Sequence, residues 1–332
     1  MQKANVKVLR IFVLRACNWN YRRVPDVEGP VGTYHDEILE RIDVLMKEVH
    51  ARGMKLIIAL HDRGSLGYWR NDAYSAKYKI DKRTAASRRR QQGEHEGCEV
   101  LKLTNADKFY QSEEAQRDFE RRLEHILSHP NPHFGRRPWL DLEEVVFAWE
   151  PQNEPRFYPN PKWLGRMAAF IKNLSPKILV ADGGPEGGGA RVLTPEEIVT
   201  LAPKVDILCL HNYVAKIQER LPRWNEVAIA HRKRVILEEF GFRKGDPNMI
   251  APNRNGRTEV EQRSHAYEWI VDSCERFNGA PWMFWQFVQT TSTDPDLLEV
   301  STTDPVWEEV IVPKGKASAN FATTYKWPEL KL

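Results

Sequence analysis

Seven short apolar runs, separated by segments of helical periodicity, constrain the fold of this 332-residue chain more than any other feature. The runs lie at Val6–Leu14, Leu56–Leu60, Val145–Trp149, Ile178–Ala181, Ile207–Leu210, Val235–Glu238 and Trp282–Gln286. Between the first two runs, Ile38, Ile42, Leu45, Met46 and Val49 recur at the spacing of one helix face. Continuous apolar strands that alternate with amphipathic helices favour a parallel sheet covered by helices. The sequence therefore predicts an α/β fold.

The order of these elements predicts one catalytic (β/α)8 barrel domain of the TIM type over residues 1–332. Seven runs leave the barrel one strand short, so we predict that its first βα unit is missing from this chain. We then expect an incompletely closed barrel that expresses poorly or is inactive, and we expect about 25–40 residues added before the first strand to restore solubility and turnover. The only leftover strand-like run is Trp307–Val312, and its two glutamates make it a poor buried strand.

Charge and apolar patterning do not indicate a nucleic-acid or a membrane partner. The 49 basic and 46 acidic residues leave a net charge of +3, too small and too mixed to indicate nucleic-acid binding. No apolar run approaches the ~18–20 residues that span a bilayer, and arginines interrupt the N-terminal run, so no signal peptide is visible. A basic insertion near 81–93 is interpreted as a solvated loop, with a polyanion-binding patch as the alternative.

Two of the apolar runs end in glutamates. The segment VVFAWEPQNEPR turns polar after Trp149 and stops at Pro155, which cannot continue a strand ladder. Glu154 is therefore predicted at the carboxyl end of a strand, where α/β barrels place catalytic groups, although a helix-capping role explains this segment equally well. In VILEEFGF, side-chain alternation places Glu239, not Glu238, on the face of Val235.

Two carboxylates on different strand ends are what glycoside hydrolysis requires. One must be the acid that protonates the leaving oxygen, and the other a nucleophile or a base. Alternation also predicts that Glu238→Gln leaves some activity, because the Glu238 side chain points away from the sugar.

Further strand ends carry residues suited to the same site. His211 and Tyr213 are two apart and point the same way, and Trp285 offers a flat face for a sugar ring. Arg10 lies inside the first strand, where it requires a buried carboxylate partner. Each residue alone has an ordinary structural explanation, but their positions at successive strand ends indicate one site.

These residues lie in motifs that resemble glycoside hydrolase family 5, most closely its endo-β-1,4-mannanase-like branch. The resemblance covers nearly the whole chain and rests on VKVLRIFV, DVLMKEVHARGMKLIIALHD, AWEPQNEPR, PKVDILCLHNY, VILEEFG and MFWQF. It implies a (β/α)8 barrel enzyme that retains the anomeric configuration of its substrate and needs no cofactor or metal. It also implies that the protein acts outside the cell, as a monomer, on a β-linked polysaccharide or oligosaccharide.

The resemblance also implies roles for individual residues. Glu154 matches the acid/base and Glu239 the nucleophile. Because retaining enzymes hold these two carboxyl groups ~5–5.5 Å apart, we predict that distance here, and we expect Glu239→Gln to prevent formation of a covalent intermediate. Asn153 matches the residue that binds the sugar 2-OH, while Arg10 and Tyr213 match the pair that orients the nucleophile.

The remaining matches are supporting residues. His211 would line the site and Trp285 would form its floor, while Trp149 belongs to the Trp-Glu pair that precedes the Asn-Glu-Pro motif. Glu186 corresponds more weakly to a Glu-Gly after the fifth strand. His61 is also predicted as a substrate-binding or supporting residue, although the loop that it begins departs from the Asn-rich, Trp-containing segment usual in mannanase-like members.

The sequence thus predicts a retaining O-glycosyl hydrolase whose first substrate candidate is β-1,4-mannan. A cellulase, another β-glycanase or an exo-glycosidase is the alternative within this class. A non-catalytic glycan-binding protein with a truncated barrel is the alternative from another class.

Overall fold

The computed structural model describes residues 1–13, 26–66, 72–80, 107–156, 160–185, 194–213, 217–243, 257–277, 279–289 and 298–324. The chain divides into two compact units. The N-terminal unit is Lys7–Ile207, and the C-terminal unit combines Met1–Val6 with Leu208–Leu332. The predicted basic loop at 81–93 and the predicted site residue Glu186 lie outside the described residues.

The N-terminal unit is built on parallel strands. Its strands are β1 (Val8–Phe12), β2 (Lys55–Ala59), β3 (Pro130–Asn131), β4 (Arg137–Pro138) and β5 (Val146–Glu150). Strands β1, β2 and β5 form a parallel sheet in that order, while β3 and β4 form a small antiparallel pair. Val180 then pairs in parallel with Trp149, and Ala181 pairs in parallel with Ile207. The predicted run 178–181 therefore takes its expected place beside β5.

Helices lie between the strands of this unit. They are α1 (Glu37–His50), α2 (Ala73–Lys77), α3 (Asp107–Gln111), α4 (Glu113–Leu127), α5 (Trp163–Leu174) and α6 (Pro195–Leu201). Helix α1 buries Ile42, Met46 and Val49, which lie on the predicted face. The Ser112 hydroxyl accepts a hydrogen bond from the Ala115 N–H and caps α4.

The C-terminal unit contains most of β6 (Ile207–His211) and all of β7 (Arg234–Glu239), which form a two-stranded sheet. Its helices are α7 (Ile217–Ala230), α8 (Glu259–Arg276) and α9 (Val312–Thr324). Trp282 pairs in parallel with Leu237, at the start of the last predicted strand. Phe287 also pairs in parallel with Val300, a contact that the sequence did not predict.

The segment considered as a leftover strand is helical. Trp307–Ile311 forms a π-helix that leads directly into α9. Its buried residues Trp307, Val310 and Ile311 are three or four positions apart, with two exposed glutamates between them. That spacing buries one face of a helix, whereas a strand would bury every second residue.

All seven predicted runs coincide with a strand or with a parallel bridge, so the prediction of an α/β fold with parallel strands is confirmed. The missing first βα unit stays a prediction. Within the described part of the chain, no helix is both long enough and apolar enough to cross a membrane.

Candidate functional site

Arg10 on β1 has the buried carboxylate partner that the sequence required. Its Nε donates to Glu150 Oε1 at 2.9 Å and its Nη2 to Glu150 Oε2 at 2.7 Å. The two side chains are 5% and 0% exposed, so the pair is a buried bidentate ion pair. Arg10 Nη2 also donates to Asn153 Oδ1 at 2.7 Å, which fixes the orientation of that amide.

Three consecutive residues after β2 hold three consecutive residues after β5. Residues 61–63 run parallel to residues 152–154, with the Asn153 N–H donating to the His61 carbonyl and the Arg63 N–H to the Asn153 carbonyl. The side chains match in the same order: His61 contacts Gln152, Asp62 contacts Asn153 and Arg63 contacts Glu154. We call these six residues the Glu154 template.

Glu154 has an unusual backbone within this template. Its φ of 45° lies in the left-handed region, which costs a non-glycine residue on the order of 1–3 kcal/mol. The Glu154 N–H donates to the Gly183 carbonyl at 2.7 Å, and Arg63 Nη2 donates to Glu154 Oε2 at the same distance. The side chain remains 20% exposed although most of its sequence neighbours are buried, so one functional group reaches the surface here.

Gly183 allows the template to close. A Cβ at this position would lie 2.2 Å from the Gln152 carbonyl oxygen, and the φ of 72° independently favours glycine. Two separate constraints therefore select glycine beside the Glu154 loop.

We expect Gly183→Ala to lower the free energy of unfolding by about 1–3 kcal/mol, because both the backbone strain and the clash must be relieved. It should also reduce activity, since relief of the clash moves residues 152–154. Gly53→Ala is the matched control, because Gly53 has a φ of 66° with nothing within 4 Å of the added Cβ. Urea unfolding and kcat/KM measure both effects, and equal losses in the two variants would contradict the role of the close approach.

His61 is the fully buried end of the template. Gln152 Nε2 donates to His61 Nδ1 at 2.7 Å, which leaves His61 Nε2 to donate to Asp72 Oδ1 at 3.3 Å. Burial favours a raised pKa for Asp72, but hydrogen bonds from His61 and Ser75 outweigh it and hold the pKa below its usual value. Burial raises the pKa of Tyr110, so its hydroxyl stays protonated and donates to Gln152 Oε1 at 2.7 Å.

The second glutamate site lies at the end of β7, within the C-terminal unit. The Tyr213 hydroxyl donates to Glu239 Oε2 at 2.6 Å, and Glu239 is 6% exposed. His211 contacts both neighbouring glutamates: its Nε2 lies 3.1 Å from Glu238 Oε2 and its Nδ1 lies 3.5 Å from Glu239 Oε2. Glu238 is therefore not an isolated residue on the far face of the strand, since it contacts the same imidazole as Glu239.

The glycine of the Glu-Phe-Gly motif is selected by a close contact with Trp285. The Trp285 N–H donates to the Phe240 carbonyl at 2.8 Å, and a Cβ on Gly241 would lie 2.4 Å from the Trp285 carbonyl oxygen. Trp285 itself is half-buried, and the peptide bond that joins it to Gln286 is cis. The motif thus holds the backbone of the predicted floor residue beside β7.

The predicted site residue Trp149 is buried and packs against another tryptophan. It is 2% exposed and its ring stacks on Trp139, with centroids 6.3 Å apart. Sequence reasoning overlooked the contributions of Asp62, Arg63 and Gly183. Asp62 and Arg63 follow an apolar strand as Asn153 and Glu154 do, and that parallel was the signal available in the sequence.

A protein-family model described as GH family 5 beta-mannosidase-like matches residues 1–217, more than half of the chain. The chain therefore belongs to the β-mannosidase-like group of glycoside hydrolase family 5.

Two curated plant proteins are similar in sequence. A putative mannan endo-1,4-beta-mannosidase 4 from Arabidopsis thaliana is 23% identical over 295 residues, which cover 77% of this chain and 65% of the relative. Mannan endo-1,4-beta-mannosidase 4 from Oryza sativa subsp. japonica is 25% identical over 163 residues, 47% of this chain and 31% of the relative. The chain thus matches less than two thirds of the length of either relative.

Solved structures of mannan-active enzymes share the fold. The endo-1,4-beta-D-mannanase of Thermotoga petrophila RKU-1 superposes with a TM-score of 0.67 at 20% identity, covering 95% of this chain and 92% of its own. The family 5 mannosidase of Rhizomucor miehei gives a TM-score of 0.70 at 16% identity, with coverages of 97% and 86%. These neighbours are (β/α)8 barrel enzymes, and this chain shares their α/β fold with parallel strands.

Proposed function

We propose that this protein is a retaining β-glycosidase that cleaves β-1,4-mannan, with Glu239 as nucleophile and Glu154 as acid/base. In the first step the Glu239 carboxylate attacks the anomeric carbon while Glu154 protonates the departing glycosidic oxygen. In the second step Glu154 removes a proton from water, which attacks the same carbon and releases Glu239.

The observation that supports this assignment best is the bond from the Tyr213 hydroxyl to Glu239. This hydrogen bond of 2.6 Å fixes one oxygen of a nearly buried carboxylate. The other oxygen is then held in one orientation for attack. On the N-terminal unit, the amide of Asn153 is clamped between Arg10 and Asp62, which suits a residue that must present its amide to a sugar hydroxyl in one orientation.

The choice of mannan follows the names of the similar proteins, most of which act on β-1,4-linked mannose. An exo-acting enzyme is the alternative within mannan chemistry, because an exo-beta-1,4-mannosidase from an Opitutaceae bacterium shares the fold with a TM-score of 0.60. A β-1,4-glucanase is the alternative with a different sugar, since an endo-beta-1,4-glucanase of Xanthomonas axonopodis pv. citri shares the fold with a TM-score of 0.57. We further propose that the protein is a monomer and acts outside the cell.

The decisive experiment offers the purified protein β-mannan, cellulose and mixed β-glucan, and follows reducing ends together with product length. Release of mannooligosaccharides of several lengths supports endo action on mannan. Release of mannose alone indicates exo action, and release of glucose-containing products indicates a glucanase. Binding of a glycan without release of any product would contradict the proposed activity and support the alternative, a non-catalytic glycan-binding protein.

We expect net retention of anomeric configuration, because the proposed mechanism inverts the anomeric carbon twice. Proton NMR of a fresh digest should therefore show the β-anomer before mutarotation. First appearance of the α-anomer would contradict the assignment. A crystal structure of the protein should correspondingly place the two carboxyl groups ~5–5.5 Å apart, since inverting enzymes leave ~6.5–9.5 Å for a water molecule.

A further inference from the structure

Arg63, a member of the Glu154 template, contacts the Glu154 carboxylate directly. Its Nη2 lies 2.7 Å from Glu154 Oε2, and its side chain is only 9% exposed. An exposed ion pair contributes little because water competes with it, whereas a nearly buried guanidinium holds a carboxylate in a defined geometry.

Arg63 also acts through its backbone. Its N–H donates to the Asn153 carbonyl at 3.1 Å, immediately before the strained backbone of Glu154. One residue therefore restrains both the peptide that precedes Glu154 and the carboxylate that Glu154 carries. A left-handed glutamate persists only where its surroundings fix it, and Arg63 supplies two of those contacts.

We propose that Arg63 is the positioning residue of the acid/base: it fixes Oε2 of Glu154, so that Oε1 carries the proton and delivers it to the departing oxygen. The inference rests on the proposed function of Glu154. A guanidinium has only donor groups, so an oxygen that accepts from it cannot donate a proton toward it. The acid proton is consequently confined to the other oxygen, and it leaves that oxygen when the glycosidic bond breaks.

This role predicts a dependence on the leaving group. A sugar leaving group needs a proton as the bond breaks, whereas 2,4-dinitrophenolate leaves without one. Arg63→Gln should lower kcat/KM on an unactivated oligosaccharide by about 10²-fold, at the low end of what general acid catalysis contributes. On the 2,4-dinitrophenyl glycoside of the same sugar, kcat/KM should stay close to wild type.

The second step provides another readout. With the dinitrophenyl substrate, hydrolysis of the glycosyl-enzyme becomes rate-limiting, and it needs Glu154 as a base. Azide needs no base, so added azide should restore the kcat of Arg63→Gln. Arg63→Lys keeps the charge without the planar fork and should recover part of the lost activity. Arg52→Gln, which removes an exposed arginine paired with Glu48, is the control and should change neither substrate's rate.

If Arg63→Gln lowers kcat/KM equally on both substrates, or on neither, the positioning role is overturned. Thermal unfolding provides a test that needs no activity, through Arg63→Gln, Glu154→Gln and the double variant. We expect the Tm shift of the double variant to be smaller than the sum of the single shifts, as for coupled neighbours. Additive shifts would remove the contact on which the proposal depends. A wild-type protein that turns over no glycan would instead refute the proposed function, and the unfolding cycle would still decide the contact.

Discussion

Replacing Glu239 with glutamine should abolish turnover, with a loss in kcat of about 10⁴- to 10⁶-fold, as for other enzymes that lose their nucleophile. The amide keeps the size of the side chain and a hydrogen bond to Tyr213, but it lacks the negative charge that attacks the anomeric carbon. Incubation with a slowly turned-over 2-fluoro glycosyl fluoride, followed by peptide mass spectrometry, should find the adduct on Glu239 of the wild type and no adduct in the variant.

Glu238→Gln is the matched control, since it makes the same chemical change one residue away. Strand alternation predicts that this variant keeps some activity, and the contact between Glu238 and His211 predicts that it also loses some. We expect a partial loss of about tenfold, on the scale of one charged hydrogen bond, with the adduct still on Glu239. An adduct on Glu238, or equal loss in both variants, would reverse the assignment of the nucleophile.

The largest effect on stability should come from Arg10. Arg10→Met removes the cation from a pair in which Glu150 is fully buried, and an uncompensated buried charge costs about 3–5 kcal/mol. The variant should also lose activity, because Asn153 loses the donor that orients its amide oxygen. Urea unfolding followed by tryptophan fluorescence measures the first effect, and kcat/KM measures the second.

Two further variants separate charge from packing. Arg52→Met removes an exposed arginine that follows α1 and pairs with Glu48, and it should cost no more than about 0.5 kcal/mol. The double variant Arg10→Met/Glu150→Gln should regain part of the stability lost by Arg10→Met, because a neutral amide then replaces the unpaired buried carboxylate. If the double variant is less stable than Arg10→Met, the loss is due to packing and not to the unpaired charge.

The sequence determined the elements that local patterns encode. Apolar runs located the five longer strands but not the two-residue strands β3 and β4. A strand that is buried on both faces must be apolar along its length whatever its neighbours are, whereas a two-residue strand leaves no such run. Proline after Glu154 and alternation around Glu239 placed both glutamates at strand ends, because these rules depend only on adjacent backbone geometry. The partner of Arg10 was predicted as a carboxylate for a similar reason, since a buried guanidinium requires one in any fold.

Only the tertiary structure decided which residues meet across the chain. The match of residues 61–63 with residues 152–154 arises from the register between β2 and β5. The close approach of Gly183 to Gln152 arises because the run at 178–181, just before Gly183, lies beside β5. The same holds for Glu238, whose contact with His211 depends on the neighbouring strand. Periodicity reports which face of a segment is buried but not what lies opposite it. Those partners are set by the packing of segments about 30 to 90 residues apart, and that packing places the groups around each glutamate.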